Sequence, residues 1–169
     1  MSNECGNLLI IVGPERSLAL FKKDASASLC MDKLVPLKNQ GNADEADQVW
    51  GCSWICDVEF EFKVFDGGYG CLQYQFTSSY DPPVEFIRRA SIIFPLLEFH
   101  LQYMDEFGVF AGQVTYSGGQ PLKDIRIENE GMDAYLDEYL NRPRPDPWKD
   151  GLFENPDSLK PNQSEGDSQ

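Results

Sequence analysis

From Trp50 to Val64 every second residue is apolar, through Trp50, Cys52, Trp54, Cys56, Val58, Phe60, Phe62 and Val64, and Ser53, Asp57, Glu59, Glu61 and Lys63 stand between them. A period of two over this length predicts a long strand with one buried face. Asp66-Gly67-Gly68-Tyr69-Gly70 interrupts the run with glycines suited to the positive φ of a hairpin loop, and Leu72, Tyr74 and Phe76 resume the alternation. Val49 to Phe76 therefore reads as a β-hairpin with Trp50 and Trp54 turned inward. Each large apolar side chain buried there contributes roughly 1.5–3 kcal/mol.

The rest of the chain arranges itself around that hairpin. Leu8–Val12 is a continuous apolar run, read as a central strand, and Gly13-Pro14 ends it and opens a helix over Glu15–Asp24 with Leu18 and Phe21 on one face. Leu29–Leu37 contains Pro36 and reads as an extended edge segment, and Lys38–Gln48 reads as a mobile loop. Asp81 is placed to cap a helix over Val84–Phe94, with Pro82 and Pro83 before it and Pro95 after it. Leu97, Phe99, Leu101 and Tyr103 alternate as a strand. Asp105-Glu106-Phe107-Gly108 turns it into a second strand over Val109–Tyr116, and Ile125 and Ile127 mark a short last one.

Strand, helix, strand, strand, helix, strand predicts an α+β fold, a ferredoxin-like sandwich whose antiparallel sheet carries two main helices on one face, with added strands. The expected organisation is a domain over residues 1–130 and a C-terminal helix over 131–141, followed by an acidic Pro/Ser-rich tail over 142–169. That helix uses Met132, Tyr135, Leu136 and Tyr139; the tail is expected to be disordered, with Trp148, Leu152 and Phe153 as docking residues.

Charge narrows the function classes. The net charge of −14 repels nucleic-acid phosphates, so direct nucleic-acid binding is not expected, whereas basic partners, cations or mimicry of a nucleic acid remain open. No basic segment precedes an apolar run at the N-terminus and no stretch approaches 18 apolar residues, which leads us to expect a cytoplasmic protein without a membrane partner. Five cysteines, an odd number, fit a reducing compartment better than a disulfide framework.

Several local motifs fall in a familiar order. They are Cys5-Gly6-Asn7 and Gly13-Pro14 around the first strand, Asp32-Lys33-Leu34-Val35-Pro36, and Trp50-Gly51-Cys52-Ser53-Trp54, similar to a Trp-Gly-x-Lys-Trp signature. Phe76-Thr77-Ser78-Ser79-Tyr80-Asp81-Pro82-Pro83, similar to Phe-x-Thr-x-Trp-x-Pro-Pro, and the hairpin Tyr103–Gly112 complete the series. Over residues 5 to 120 the chain resembles the YubB-like, or Api-like, family of bacterial, plasmid and phage proteins, whose function is unknown. Ser53 and Tyr80 depart from the lysine and tryptophan of the family pattern. The resemblance implies a ferredoxin-like domain and a bacterial or mobile-element origin. It implies no reaction, no catalytic residues and no cofactor.

The candidate chemistry is sparse. Cys52 and Cys56 on one extended strand would lie about 13 Å apart, too far to share a metal through zinc–sulfur bonds of about 2.3 Å. His100, the single histidine, falls on the polar phase of its strand beside Glu98, and no serine or cysteine sits in a nucleophile motif. Asp57, Glu59 and Glu61 form an acidic row on the outer phase of the long strand, a solvated face that could also hold a cation or a basic partner. Trp50 and Trp54 share their phase with Phe60 and Phe62 and read as core. The interaction candidates are thus Asp57, Glu59, Glu61, Glu98, His100, Tyr80 and Asp105, with no catalytic or metal-binding residue assigned. The expected function is a non-enzymatic interaction module that meets a protein partner through its open sheet face or its acidic tail, and such a face also permits a homodimer. The alternatives are an acidic mimic of nucleic acid and a small enzyme with its site near Tyr80, Asp81 and Asp105.

Overall fold

The computed structural model describes residues 3–128, so the expected helix at 131–141 and the tail at 142–169 lie outside the described residues. In chain order the elements are β1 (Glu4–Pro14), α1 (Glu15–Ala25), α2 (Met31–Leu34), α3 (Ala43–Trp50), β2 (Ile55–Phe65), β3 (Tyr69–Ser79), α4 (Val84–Ile93), β4 (Glu98–Asp105), β5 (Phe110–Ser117) and β6 (Gln120–Glu128). The strands form one sheet in the order β2-β3-β1-β4-β5-β6 with every neighbouring pair antiparallel. The apolar run Leu8–Val12 lies in β1, paired on both sides, as a strand buried on both faces must be.

Alternation in the three middle strands divides the side chains between two faces. Leu9 and Ile11 of β1, Leu72, Tyr74 and Phe76 of β3, and Phe99 and Leu101 of β4 turn toward the helices and form the main core with Leu18, Phe21, Trp50, Phe86, Ile87 and Ala90. Phe21 of α1 stands edge-on to Phe94 at 5.2 Å, Phe99 at 5.6 Å and Tyr74 at 6.5 Å, geometries that aromatic quadrupoles favour. Near β2 the Lys22 ammonium lies 4.7 Å from the centre of the Phe62 ring. Ile10, Val12 and Cys71 form a smaller cluster on the opposite face, with Leu8 and Phe65 against it.

The expected two-helix ferredoxin-like sandwich is not the fold. Among the described residues there are six strands and four helices, because β5 and β6 extend the sheet beyond β4 and because the stretch from α1 to β2 contains two short helices where an extended segment and a loop were expected. In α3 the Asn42 side chain accepts the Glu45 amide at 3.0 Å, and Gly51 ends the helix at φ 89. Trp50 therefore closes a helix instead of opening a strand. It is still buried, and its Nε1 donates to the Val35 carbonyl at 2.8 Å.

The long alternating strand is corrected as well. Trp54 precedes β2 and is exposed, as is Val64 near the other end. The pairing of β2 with β3 shifts between Cys56 and Glu59, where Asp57 takes φ 53. Such a bulge reverses the facing of what precedes it: Ile55 pairs with core-facing Ser78, Cys56 pairs with Thr77 on the opposite side, and Phe60 and Phe62 rejoin the core opposite Tyr74 and Leu72. At the far side β6 is longer than Ile125 and Ile127 suggested, and a second register shift sits between Thr115 and Tyr116 of β5.

Candidate functional site

One end of the sheet gathers the start of β1, the end of β3, the segment before β2 and the β4–β5 turn. Backbone hydrogen bonds fix the arrangement: Ser79 N donates to Trp54 O at 3.1 Å, Tyr80 N to Asn3 O at 2.9 Å, and Glu106 N to Glu4 O at 2.9 Å. Trp54, Tyr80 and Phe107 are thereby carried at the same end of the sheet. Tyr80 and Phe107 flank β1, about 10 Å apart at the backbone, given ~4.8 Å between strands. Tyr80 is 56% exposed and Phe107 60%, and Trp54 and Val109 are exposed beside them.

Polar groups under the aromatics are occupied in holding them. Ser78 Oγ donates to the Asp81 carbonyl and accepts Asn7 Nδ2, each at 2.8 Å, and the same Asn7 nitrogen donates to the Cys5 carbonyl. Ser79 Oγ accepts the Ser53 amide at 2.8 Å and the Trp54 amide at 3.3 Å. Asp105 is buried, and its Oδ2 accepts the amides of Phe107 at 3.0 Å and Val109 at 3.2 Å, which closes the turn that carries Phe107. Tyr80 sits at φ 57, a left-handed conformation that costs an L-residue about 1–2 kcal/mol. A bulky residue held there at the surface marks a place where the surroundings impose strain.

The electrostatics of this end are mixed. Arg126 of β6 lies 4.3 Å over the Phe110 ring, with its guanidinium 3.7 Å from Asp81 and 2.7 Å from Glu128. Glu4 and Glu106 are carried by the same strand ends as the aromatics. The buried Cys5 thiol is pushed up to about 12, chiefly by desolvation, so it is protonated at neutral pH and unsuited to attack as a thiolate. The arrangement offers aromatic faces and carboxylates for recognition.

Of the residues singled out in the sequence, Tyr80 and Asp105 meet at this end, Tyr80 at the surface and Asp105 inside the turn. The others lie elsewhere. The bulge takes Asp57 out of the acidic row, and Glu59 and Glu61 remain on exposed positions of β2 with Lys63 Nζ 3.3 Å from Glu61. Glu98 and His100 do lie side by side, with Oε1 and Nε2 2.9 Å apart and His100 Nδ1 3.1 Å from Thr115 Oγ1, but on the face away from the helices. His100 is buried there instead of solvated. Cys52 is buried outside any strand, Cys56 is half-buried, and no group of three side chains able to hold a metal assembles among the described residues. Trp54 was read as core and is exposed instead, and Phe107 and Arg126 were not singled out. An aromatic residue at the apex of a polar turn, Asp-Glu-Phe-Gly, was the signal for Phe107, since a turn offers it no core to enter.

No family model and no curated protein matches the chain. Among solved structures, the crystal structure of a protein api92 from Yersinia pseudotuberculosis, family-model DUF1281, is similar with a TM-score of 0.46 and 16% identity, covering 59% of this chain and 39% of that one. That likeness is too slight to carry an argument about fold or function. The resemblance to the YubB-like family rests on the local motifs alone. Among the described residues no helix is long and apolar enough to cross a membrane.

Proposed function

We propose that the protein is a non-enzymatic interaction module that binds a basic protein partner through the aromatic end of its sheet. The observation that carries this reading is the exposure of Trp54, Tyr80 and Phe107 at one end of the sheet, their backbones fixed by hydrogen bonds while Tyr80 is held in a left-handed conformation. Tryptophan and tyrosine are enriched among residues that dominate interface energies, where truncation costs about 2 kcal/mol or more. Glu4, Asp81 and Glu106 at the same end, within a chain of net charge −14, favour a partner presenting lysine or arginine. Such side chains gain both from long-range attraction and from contact with aromatic faces.

The test uses the tagged full chain as bait in nuclease-treated bacterial lysate, read by quantitative mass spectrometry. The wild type and Glu59→Gln/Glu61→Gln should capture one basic protein stoichiometrically, and Tyr80→Ala/Phe107→Ala should capture at least tenfold less. Undiminished capture by the aromatic variant would move the contact elsewhere. A turnover reaction abolished by replacing Glu98 or His100 would overturn the non-enzymatic reading.

A further inference from the structure

The turn between β2 and β3 holds the one aspartate among the described residues that is followed by glycine, in Asp66-Gly67. The strands pair as far as Phe65 and Tyr69, so Asp66, Gly67 and Gly68 form the whole connection, and all three are exposed. Gly67 takes φ 87 and Gly68 φ 78, conformations that glycine adopts without steric cost. A Cβ added at either glycine would meet no atom within 4 Å. Among the described residues the Gly67 amide donates no hydrogen bond, and the Asp66 carboxylate accepts none and enters no ion pair. The turn is tied to the fold one residue later, where the Gly68 carbonyl accepts the Glu15 amide at 2.8 Å.

A backbone amide nitrogen can close a five-membered ring on the side-chain carboxyl carbon of the aspartate before it, and a side chain on the attacking residue hinders the approach. Glycine has none. Other aspartates are withheld from this chemistry. Asp105 Oδ2 holds the amides of Phe107 and Val109, and the amide that follows it, that of Glu106, donates to the Glu4 carbonyl. Both Asp32 oxygens are bonded, to Leu37 N and to Gln40 Nε2. Asp81 precedes Pro82, which has no amide hydrogen, and Asp57 precedes the β-branched Val58.

We propose that Asp66 is a site of spontaneous isoaspartate formation. Gly67 N attacks Asp66 Cγ and forms a bond to it, while the protonated carboxyl loses its hydroxyl, which leaves as water with the amide hydrogen. The product is a succinimide. Water then adds to one of the two ring carbonyls and breaks its bond to nitrogen. Cleavage at the main-chain carbonyl routes the backbone through Cβ and Cγ and frees the former main-chain carboxyl as a carboxylate. The net change is an isomerisation, in which one water leaves and one returns, charge and mass are conserved, and the main chain gains one carbon. Its effect is therefore geometric: it lengthens a three-residue turn beside the carbonyl that holds the start of α1. The new α-carboxylate, in an exposed segment, is the group that S-adenosylmethionine-dependent isoaspartyl methyltransferases esterify. The turn lies at the end of β3 away from Tyr80, so the modification is separate from the aromatic end.

The test keeps the full chain at neutral pH for several weeks, folded in buffer and unfolded in concentrated urea. Both samples are digested under mildly acidic conditions, and aspartyl and isoaspartyl peptides are distinguished by electron-transfer fragmentation. In the folded chain, isoaspartate at Asp66 should exceed that at Asp57, Asp81 and Asp105 by at least tenfold, and it should form at a rate within tenfold of that in urea. A level at Asp66 no higher than at the other three would overturn the proposal. So would a rate more than tenfold slower in the folded chain than in urea, because the fold would then shield the turn.

Discussion

Two glycines in neighbouring parts of the sheet should respond to the same substitution in opposite ways. At Gly112 of β5 an alanine Cβ would run into the backbone carbonyl of Ile125 and the ring and hydroxyl of Tyr103. At Gly6 of β1 the nearest atom is the Met104 carbonyl at 3.8 Å, an ordinary contact. Tyr103 is buried and pinned against the sheet, and the Ile125 carbonyl belongs to a paired strand, so neither yields without moving β6. Overpacking of this kind costs about 1–3 kcal/mol. The loss has a ceiling: β6 buries little side-chain surface, only Ile127 being half-buried, so the strand can release before the core is disturbed. Gly6→Ala, by contrast, reduces the freedom of the unfolded chain and should be neutral or stabilising by up to about 1 kcal/mol. Urea unfolding followed by tryptophan fluorescence measures both. The expected result is Gly112→Ala less stable than Gly6→Ala by roughly 1–4 kcal/mol. Stabilities within 0.5 kcal/mol of each other would refute the close approach of β6 and Tyr103 to β5.

Two further outcomes follow from the buried polar groups. Burial pushes the thiols of Cys5 and Cys52 from 9.0 up to about 12; because the folded pKa is raised, their contribution is fully present below pH 9 and is lost as the pH climbs from 9 to about 12. Each thiol removes about 1.4 kcal/mol per pH unit in that window, so urea midpoints should fall steeply above pH 9, and a flat profile to pH 11 would show that the thiols ionise without unfolding. Asp105→Ala should lose about 1–3 kcal/mol by stranding the amides of Phe107 and Val109, and Asp105→Asn should recover most of this by keeping an acceptor; equal losses in thermal melts would show that the turn does not depend on that oxygen.

Periodicity was informative wherever one face of an element met one environment. β1, α1, α4, β4 and β5 could be read from Leu8–Val12, Leu18 and Phe21, Ile87 and Ala90, Phe99 to Tyr103, and Val109–Tyr116 in turn. It failed at Trp50 because two elements happen to abut in phase: the apolar end of α3 continues into Cys52 and Trp54 as though one strand ran through both. Asn42, Glu45 and Gly51 carried the contrary signal, a cap at each end of a short helix. The bulge at Asp57 was invisible because Cys56 and Val58 are both apolar, so reversing the facing left the pattern intact. His100 and Gln102 misled for a different reason: their phase in β4 is right, but both are buried on that face, where β5 sets Thr115 against His100. At the candidate site Tyr80 and Asp105 were legible as turn residues, whereas the pairing that brings Trp54, Tyr80 and Phe107 to one end of the sheet joins segments far apart in the chain.

The two register shifts also bear on how this sheet meets other chains. Among the described residues the sheet ends in two rim strands, and the free amides and carbonyls of a rim are a template for one more strand. Here one rim strand, β2, is kinked at Asp57 and bears Glu59, Glu61 and Lys63; the other, β6, is offset opposite Thr115 and Tyr116 and bears Pro121, Lys123, Asp124 and Arg126. Kinks, proline and alternating charge all spoil such a template. Strand addition, the route by which many sheets capture peptides or polymerise, is thus obstructed on both sides. At these two rims, then, recognition falls to side chains and not to the backbone.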